Sequence, residues 1–240
     1  MDIRVCKVRE QSNELVSGGM GNICVWGLTH LVCHKRVMEG LGTHMVITQL
    51  ALVPNRAQCG PTVLAAYGGA VVVVDIIEGR VVDHIKNLHL REITGLVYCP
   101  LKDSVVSASD MTIRVWGPDW ELQMSFVGHS ALITSLVLCP VSGLLLSSSL
   151  DSTLRCWRLD IGDQVQVVSV PNGYMPPLAV GGPDSSDWME PWEDLSVKSR
   201  PHHALLPSQH VYFVFKETAM LQLSQPRQAK CSQDSKPRDE

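Results

Sequence analysis

The 240-residue chain sets 20 Lys and Arg against 24 Asp and Glu, a net charge of -4, and 45% of its residues are hydrophobic. That balance supplies no basic field for nucleic acid or an acidic membrane surface, while the apolar content suffices for a packed core. No basic segment and apolar run follow Met1, and the longest apolar stretch, Thr62 to Ile77, is interrupted by Gly68, Gly69 and Asp75 and is too short for a spanning helix of about 20 residues.

In chain order, Ile3 to Val8 alternates as a first strand, followed by Leu15 to Gly18, Asn22 to Trp26 and Leu31 to Val37. A second set is expected at Met45 to Leu52, Val63 to Tyr67, Val71 to Ile77 and Arg80 to Ile85. Short runs rich in β-branched residues and bounded by Gly, Pro, Asp and Ser are strand signals. Further on, Thr112-Ile113-Arg114-Val115-Trp116 returns 41 positions later as Thr153-Leu154-Arg155-Cys156-Trp157. Its surroundings return too: Ile93-Thr94-Gly95-Leu96 with Ile133-Thr134-Ser135-Leu136, Cys99-Pro100 with Cys139-Pro140, Ser107-Ala108-Ser109 with Ser147-Ser148-Ser149, and His89 with His129. The clearest unit divides into Leu132 to Leu138, Gly143 to Ser148, Thr153 to Arg158 and Gln164 to Val170.

On the strand from Thr153, alternation puts Thr153, Arg155 and Trp157 on one face and Leu154 and Cys156 on the other. Both faces carry large or apolar groups, as in a sheet sandwiched between two others. A repeat of about 40 to 45 residues made of such strands points to propeller blades. Four units are expected, at about 1–40, 41–88, 89–128 and 129–170. Beyond them, a Pro-rich and acidic linker with a possible degenerate blade spans 171–223, and 224–240 forms a disordered polar tail. Within the linker, Val211 to Phe215 and Ala219 to Leu223 alternate as a hairpin of that degenerate fifth blade.

Gly128-His129, the turn residue Asp151 and the strand-ending Trp157 make the sequence resemble the WD-repeat β-propeller family. The preceding unit departs from the signature, with Leu88-His89 in place of Gly-His and Asp110 one residue closer to the preceding serine. The resemblance implies an all-β WD-repeat propeller with about four recognisable blades, incomplete as a ring and followed by a mostly irregular tail. Because a seven-bladed ring needs roughly 280 to 300 residues, the chain reads as a fragment or shortened isoform. It also implies a hydrogen-bonded network within each blade, drawn from His129, Ser147 or Ser149, Asp151 and Trp157, and from His89, Ser107 or Ser109, Asp110 and Trp116. Buried indole, imidazole and carboxylate groups require such pairing. The first unit has Ser17 and Trp26 but Met20 at the aspartate position, and the second has Val74 at the tryptophan position. Those blades are expected to be less well braced.

The same residue types make up a Ser-His-Asp triad, but their recurrence in successive units favours a brace over a catalytic centre. Ser17-Gly18-Gly19-Met20-Gly21 lacks the Gly-Lys-Ser/Thr ending of a phosphate loop and reads as a turn. His202-His203 and His210 have no cysteine or carboxylate at ligand spacing, so neither metal nor cofactor is expected. The eight cysteines form no Cys-x-x-Cys pair and read as reduced, small core hydrophobes. Trp188 and Trp192 lie in the acidic stretch Asp184 to Asp194 and are candidate partner-binding residues, weighed against packing on a propeller edge. The expected function is a non-enzymatic scaffold in a cytoplasmic complex that binds proteins or peptides, with neither nucleic acid nor membrane as partner. The alternatives are a truncated isoform with little independent function and a propeller-based hydrolase.

Overall fold

A computed structural model describes residues 2–54, 60–139 and 143–169, together with the backbone of 211–214 and 220–223. It contains four four-stranded antiparallel meanders arranged as propeller blades. Blade 1 comprises β1 (Ile3–Arg9), β2 (Glu14–Gly19), β3 (Ile23–Gly27) and β4 (Val32–Val37), with a 3-10 turn at Glu10–Ser12. Blade 2 comprises β5 (Gln49–Val53), β6 (Thr62–Tyr67), β7 (Ala70–Asp75) and β8 (Arg80–Ile85). Blade 3 follows with β9 (Ile93–Cys99), β10 (Ser104–Ser109), β11 (Thr112–Trp116) and β12 (Leu122–Val127). Blade 4 has β13 (Ile133–Leu138), β14 (Leu144–Ser149), β15 (Thr153–Arg158) and β16 (Gln164–Ser169). A separate two-stranded sheet pairs β17 (Val211–Val214) with β18 (Met220–Leu223).

The first strands of consecutive blades pack in series, β1 on β5, β5 on β9 and β9 on β13. Three apolar cores fill the seams. One joins Val16, Ile23 and Val25 of blade 1 to Ile47, Leu50 and Val72 of blade 2. Another sets Trp116 and Ile93 of blade 3 against Leu64, Ala66 and Val71 of blade 2. The third brings Trp157 and Leu145 of blade 4 onto Val106, Ile113 and Phe126 of blade 3. The alternation read from Thr153 to Trp157 thus has a physical cause, since the tryptophan face turns toward the preceding blade.

The seams are stitched by a recurring backbone bond at the start of each following blade. The N–H of Ile47 donates to the carbonyl of Gly19 at 3.1 Å, that of Ile93 to Gly68 at 2.8 Å and that of Ile133 to Asp110 at 2.7 Å. Gly68 and Asp110 lie in the turn between the second and third strands of the blade before, and Gly19 is the last residue of the second strand. A second stitch comes from the threonine that follows two of these isoleucines, with Thr48 Oγ1 donating to Ile93 O at 3.3 Å and Thr94 Oγ1 to Ile133 O at 2.6 Å. Sequence matching found the recurrent Ile-Thr pair but assigned it no task.

Blade 2 begins later than its apolar pattern predicts. Its first strand starts at Gln49 rather than Met45, because Val46 forms a bridge with Met20 and Ile47 bonds to Gly19. This stretch is committed to blade 1 before it joins its own sheet. The pairing of third and fourth strands is irregular at Trp26, Val74, Trp116 and Trp157 in turn. Blade 2 keeps this local irregularity although valine has replaced the indole there. The expected hairpin pairs Val211 with Leu223 and Phe213 with Leu221. Trp188, Trp192, the paired histidines and the 224–240 tail lie outside the described residues.

Candidate functional site

Blade 4 gathers its four expected polar residues into one chain. Trp157 Nε1 donates to Ser147 Oγ at 2.8 Å, Ser147 Oγ lies 2.7 Å from His129 Nε2, and His129 Nδ1 lies 2.8 Å from Asp151 Oδ2. An indole N–H only donates, so Ser147 accepts from it and sends its own proton to Nε2. The imidazole then carries its proton on Nδ1 and donates it to the carboxylate, a tautomer assigned from the network. Of the two serines offered by sequence, Ser147 takes this place. Ser149 bonds elsewhere, donating to Ala131 O at 2.9 Å and accepting from Asp151 N at 3.2 Å.

Asp151 is held by more than its histidine. It accepts from the N–H groups of Ser130 and Thr153 at 3.0 and 2.9 Å, and from Thr153 Oγ1 at 2.6 Å. Burial opposes the charged carboxylate, yet the bonds from Thr153, His129 and the two N–H groups overcome it and hold the acid below its ordinary range. Burial also lowers the His129 pKa, partly offset by Asp151, so the ring is neutral near pH 7. Thr153, the first residue of β15, is a member of the network that sequence reasoning missed. Its equivalent in blade 3, Thr112, repeats in the motif and was the available signal.

Blade 3 assembles three of its four expected residues. Trp116 Nε1 donates to Ser107 Oγ at 2.8 Å, and Ser107 Oγ is 2.8 Å from His89 Nε2. Asp110 does not complete this chain, contrary to the expectation. Its carboxylate is half exposed and lies 3.8 Å from Arg91 Nε. The cause is turn length, because only Asp110 and Met111 separate β10 from β11, whereas Leu150, Asp151 and Ser152 separate β14 from β15. Asp110 occupies the first turn position at φ 54°, while Asp151 is the second residue of a longer turn. Without a carboxylate partner, burial and nearby Arg114 push the His89 pKa down to about 4.

Blades 1 and 2 show the network being taken apart. Trp26 Nε1 still donates to Ser17 Oγ at 2.7 Å, with Trp26 only half-buried. In blade 2, Ala65 pairs with Val72 where Ser107 pairs with Arg114, and Val63 pairs with Val74 where Val105 pairs with Trp116. Hydroxyl and indole are thus absent together, leaving neither an orphan donor nor an orphan acceptor. Among the described residues no three His, Cys, Asp or Glu side chains gather into a group able to hold a metal ion.

A second feature lies at the blade end where the second strands finish. The turn residues Met111 and Leu150 are exposed there, as is Leu132 just before β13, and Leu90 is fully exposed in the loop entering β9. Leu150 N donates to Leu132 O at 2.9 Å, Ile133 N to Asp110 O at 2.7 Å, and Arg91 pairs with Asp110. These links make Leu90, Met111, Leu132 and Leu150 neighbours along one rim. Sequence reasoning left the choice of face open, since apolar turn residues carry no repeat signature.

A family model described as "WD domain, G-beta repeat" matches residues 83–117 and 120–158. The first match runs from β8 of blade 2 through β11 of blade 3, so the sequence repeat straddles two structural blades. The chain is 38% identical over 125 residues to WD repeat-containing protein 97 of Homo sapiens, covering 52% of this chain and 8% of that protein. It is 38% identical over 76 residues to nuclear distribution protein PAC1 of Coccidioides posadasii, covering 30% of this chain and 16% of the relative. Nuclear distribution protein nudF of Aspergillus niger is 33% identical over 82 residues, covering 32% and 18%. The chain therefore spans less than a fifth of each relative's length. With repeat signature, four-blade architecture and sequence matches in agreement, the chain belongs to the WD-repeat β-propeller family.

Proposed function

We propose that this chain is a non-enzymatic scaffold that binds proteins or peptides within a cytoplasmic complex, and that it does so through the rim formed by Leu90, Met111, Leu132 and Leu150. WD-repeat propellers generally bind other proteins. The observation that carries the choice of face is that exposed Leu90, Met111, Leu132 and Leu150 sit on turns and loops tied together around the seam between blades 3 and 4, whereas the exposed Leu31, Ile77, Leu101 and Ile161 of the opposite end lie one in each blade. Such exposed groups gain most from an apolar partner.

The polar chains are structural in this reading. Ser147 is fully buried and its oxygen already accepts the Trp157 N–H, so a substrate carbonyl has no approach to it. A hydrolytic serine needs the opposite, an open oxygen beside a vacant reaction site. Repetition of the same geometry at Ser107 supports a brace in each blade.

A photo-crosslinking amino acid placed at Met111 or Leu150 tests the proposal, with Ile161 in the opposite-end turn as control. Crosslinks to cytosolic proteins are expected from the rim and not from Ile161, and Leu90→Asp should abolish them. Equal yield from both ends, or no enrichment above a blade-scrambled chain, would overturn it.

A further inference from the structure

Blade 2 has neither the serine nor the tryptophan of the polar brace, with Ala65 and Val74 standing at their positions. Two other bonds tie down the loop that enters it between β4 and β5. His84 Nε2 lies 3.1 Å from the carbonyl oxygen of Gly40 in that loop, and His84 Nδ1 lies 3.3 Å from the Tyr67 hydroxyl. A carbonyl only accepts, so Nε2 carries the imidazole proton and Nδ1 accepts from the tyrosine, a tautomer assigned from the bonds. Burial raises the Tyr67 pKa, which keeps that hydroxyl protonated as a donor. The two rings meet edge to face, 6.2 Å apart and at 82°.

This chain of contacts does for blade 2 what the brace does for blade 4. There His129, in the entering loop, bonds to Ser147 on the second strand. Here the entering loop is joined through His84 of the fourth strand, β8, to Tyr67 at the end of the second strand, β6. Gly40 also packs on β8, since at φ 81° a Cβ added to it would stand 3.0 Å from Val81 Cβ. Leu41, next in the chain, is buried in the core between blades 1 and 2. The settings differ in one respect: His89 and His129 are buried, whereas His84 and Tyr67 are half-buried and Gly40 is exposed. Bonds reached by water open locally at lower cost than bonds inside a blade.

We propose that Tyr67 and His84 form a surface latch that takes over the missing brace of blade 2, and that it opens to release the Gly40–Leu41 segment while the four sheets stay folded. Both are positioning residues for the loop. Opening uncovers Leu41 near Met38, which is already 55% exposed, at the blade end that carries Leu90. The latch stands or falls independently of what binds there.

Amide hydrogen exchange in the full chain tests it. Leu41 N–H is bonded within the loop to Met38 O at 3.1 Å, while Ile93 N–H closes the next seam. In the wild type, Leu41 should exchange about tenfold or more faster than Ile93, at a rate that low urea leaves unaltered. Tyr67→Phe, which deletes the hydroxyl and keeps the ring, should accelerate Leu41 about fivefold, as for one lost hydrogen bond. His84→Leu should accelerate it further, and the double variant should match His84→Leu, because both residues act through one contact. Ile93 should keep its rate throughout. The His84 imidazole nitrogen resonances in mildly alkaline solution should report a protonated Nε2, with Tyr67→Phe moving the Nδ1 signal.

Leu41 exchange that neither substitution alters would overturn the latch, as would additive effects of the two. Leu41 and Ile93 exchanging in step across urea would overturn local opening. If His84→Leu accelerates Ile93 as well, Tyr67→Phe decides by the same two rates.

Discussion

Asp151 Oδ2 lies 2.8 Å from His129 Nδ1, and this contact separates the complete brace of blade 4 from the shorter one of blade 3. His89 makes the same bond to serine, but its local aspartate is drawn to Arg91 at the surface. One additional turn residue decides between the two outcomes. It moves the carboxylate from the exposed first turn position to one facing the ring.

Asp151→Asn should therefore cost far more than Asp110→Asn. The first change removes a charged acceptor of four bonds, and breaking a buried charge-assisted network costs about 3 kcal/mol. The second affects a half-exposed pair and should stay within about 0.5 kcal/mol. Urea unfolding of the two variants checks the ordering, and equal losses would contradict the asymmetry.

Ser147→Ala should leave the buried Trp157 N–H and His129 Nε2 unpaired, at about 1–3 kcal/mol for each group. Ser107→Ala should behave similarly. Ser17→Ala should cost less, because half-buried Trp26 can donate to water. Thermal unfolding with tryptophan fluorescence as readout measures the series. A loss of binding at unchanged stability would instead assign these serines a surface role.

Acidification should weaken the fold in two stages. The folded pKa values of His89, about 4, and His129 both lie below the ordinary histidine value of 6.5. The unfolded chain therefore binds more protons below pH 6.5, and stability falls as pH drops from there toward the folded values. The slope is at most about 1.4 kcal/mol per pH unit for each histidine. Asp151 adds a second loss at lower pH, because its folded pKa is depressed below 3.8 and its contribution disappears as the unfolded and then the folded acid becomes protonated. His89→Asn should flatten the first stage in chemical-denaturation profiles between pH 7 and 4.5; an unaltered slope would show that other groups control it.

Gly69→Ala should disrupt the seam between blades 2 and 3. A Cβ at Gly69 would land on the backbone carbonyl oxygen of His89, which cannot swing aside as a flexible side chain could. The same junction carries the His89 N–H bond to Gly69 O at 3.0 Å and the Ile93 N–H bond to Gly68 O at 2.8 Å. Gly68 also has a positive φ of 52°, so the turn favours glycine at that position. A destabilisation of at least about 2 kcal/mol is expected, with amide exchange accelerating first at Ile93. Wild-type stability and exchange would show that the turn can move away.

The repeated strand ending at Trp116 and Trp157, the recurring His89 and His129 and the Ser-x-Ser segments at 107–109 and 147–149 by themselves determined the blade unit and its β-strand alternation. They did so because each blade solves the same packing problem with the same residues. Only the tertiary structure chose Ser147 over Ser149, separated Asp110 from its histidine and joined the blades through Ile47, Ile93 and Ile133. Those decisions depend on turn length and on which carbonyl meets which N–H across a seam, relationships between residues far apart in the chain. The exposed rim likewise emerged only when Leu90, Met111, Leu132 and Leu150, unremarkable one by one in sequence, were brought to one end of adjacent blades by the antiparallel meander.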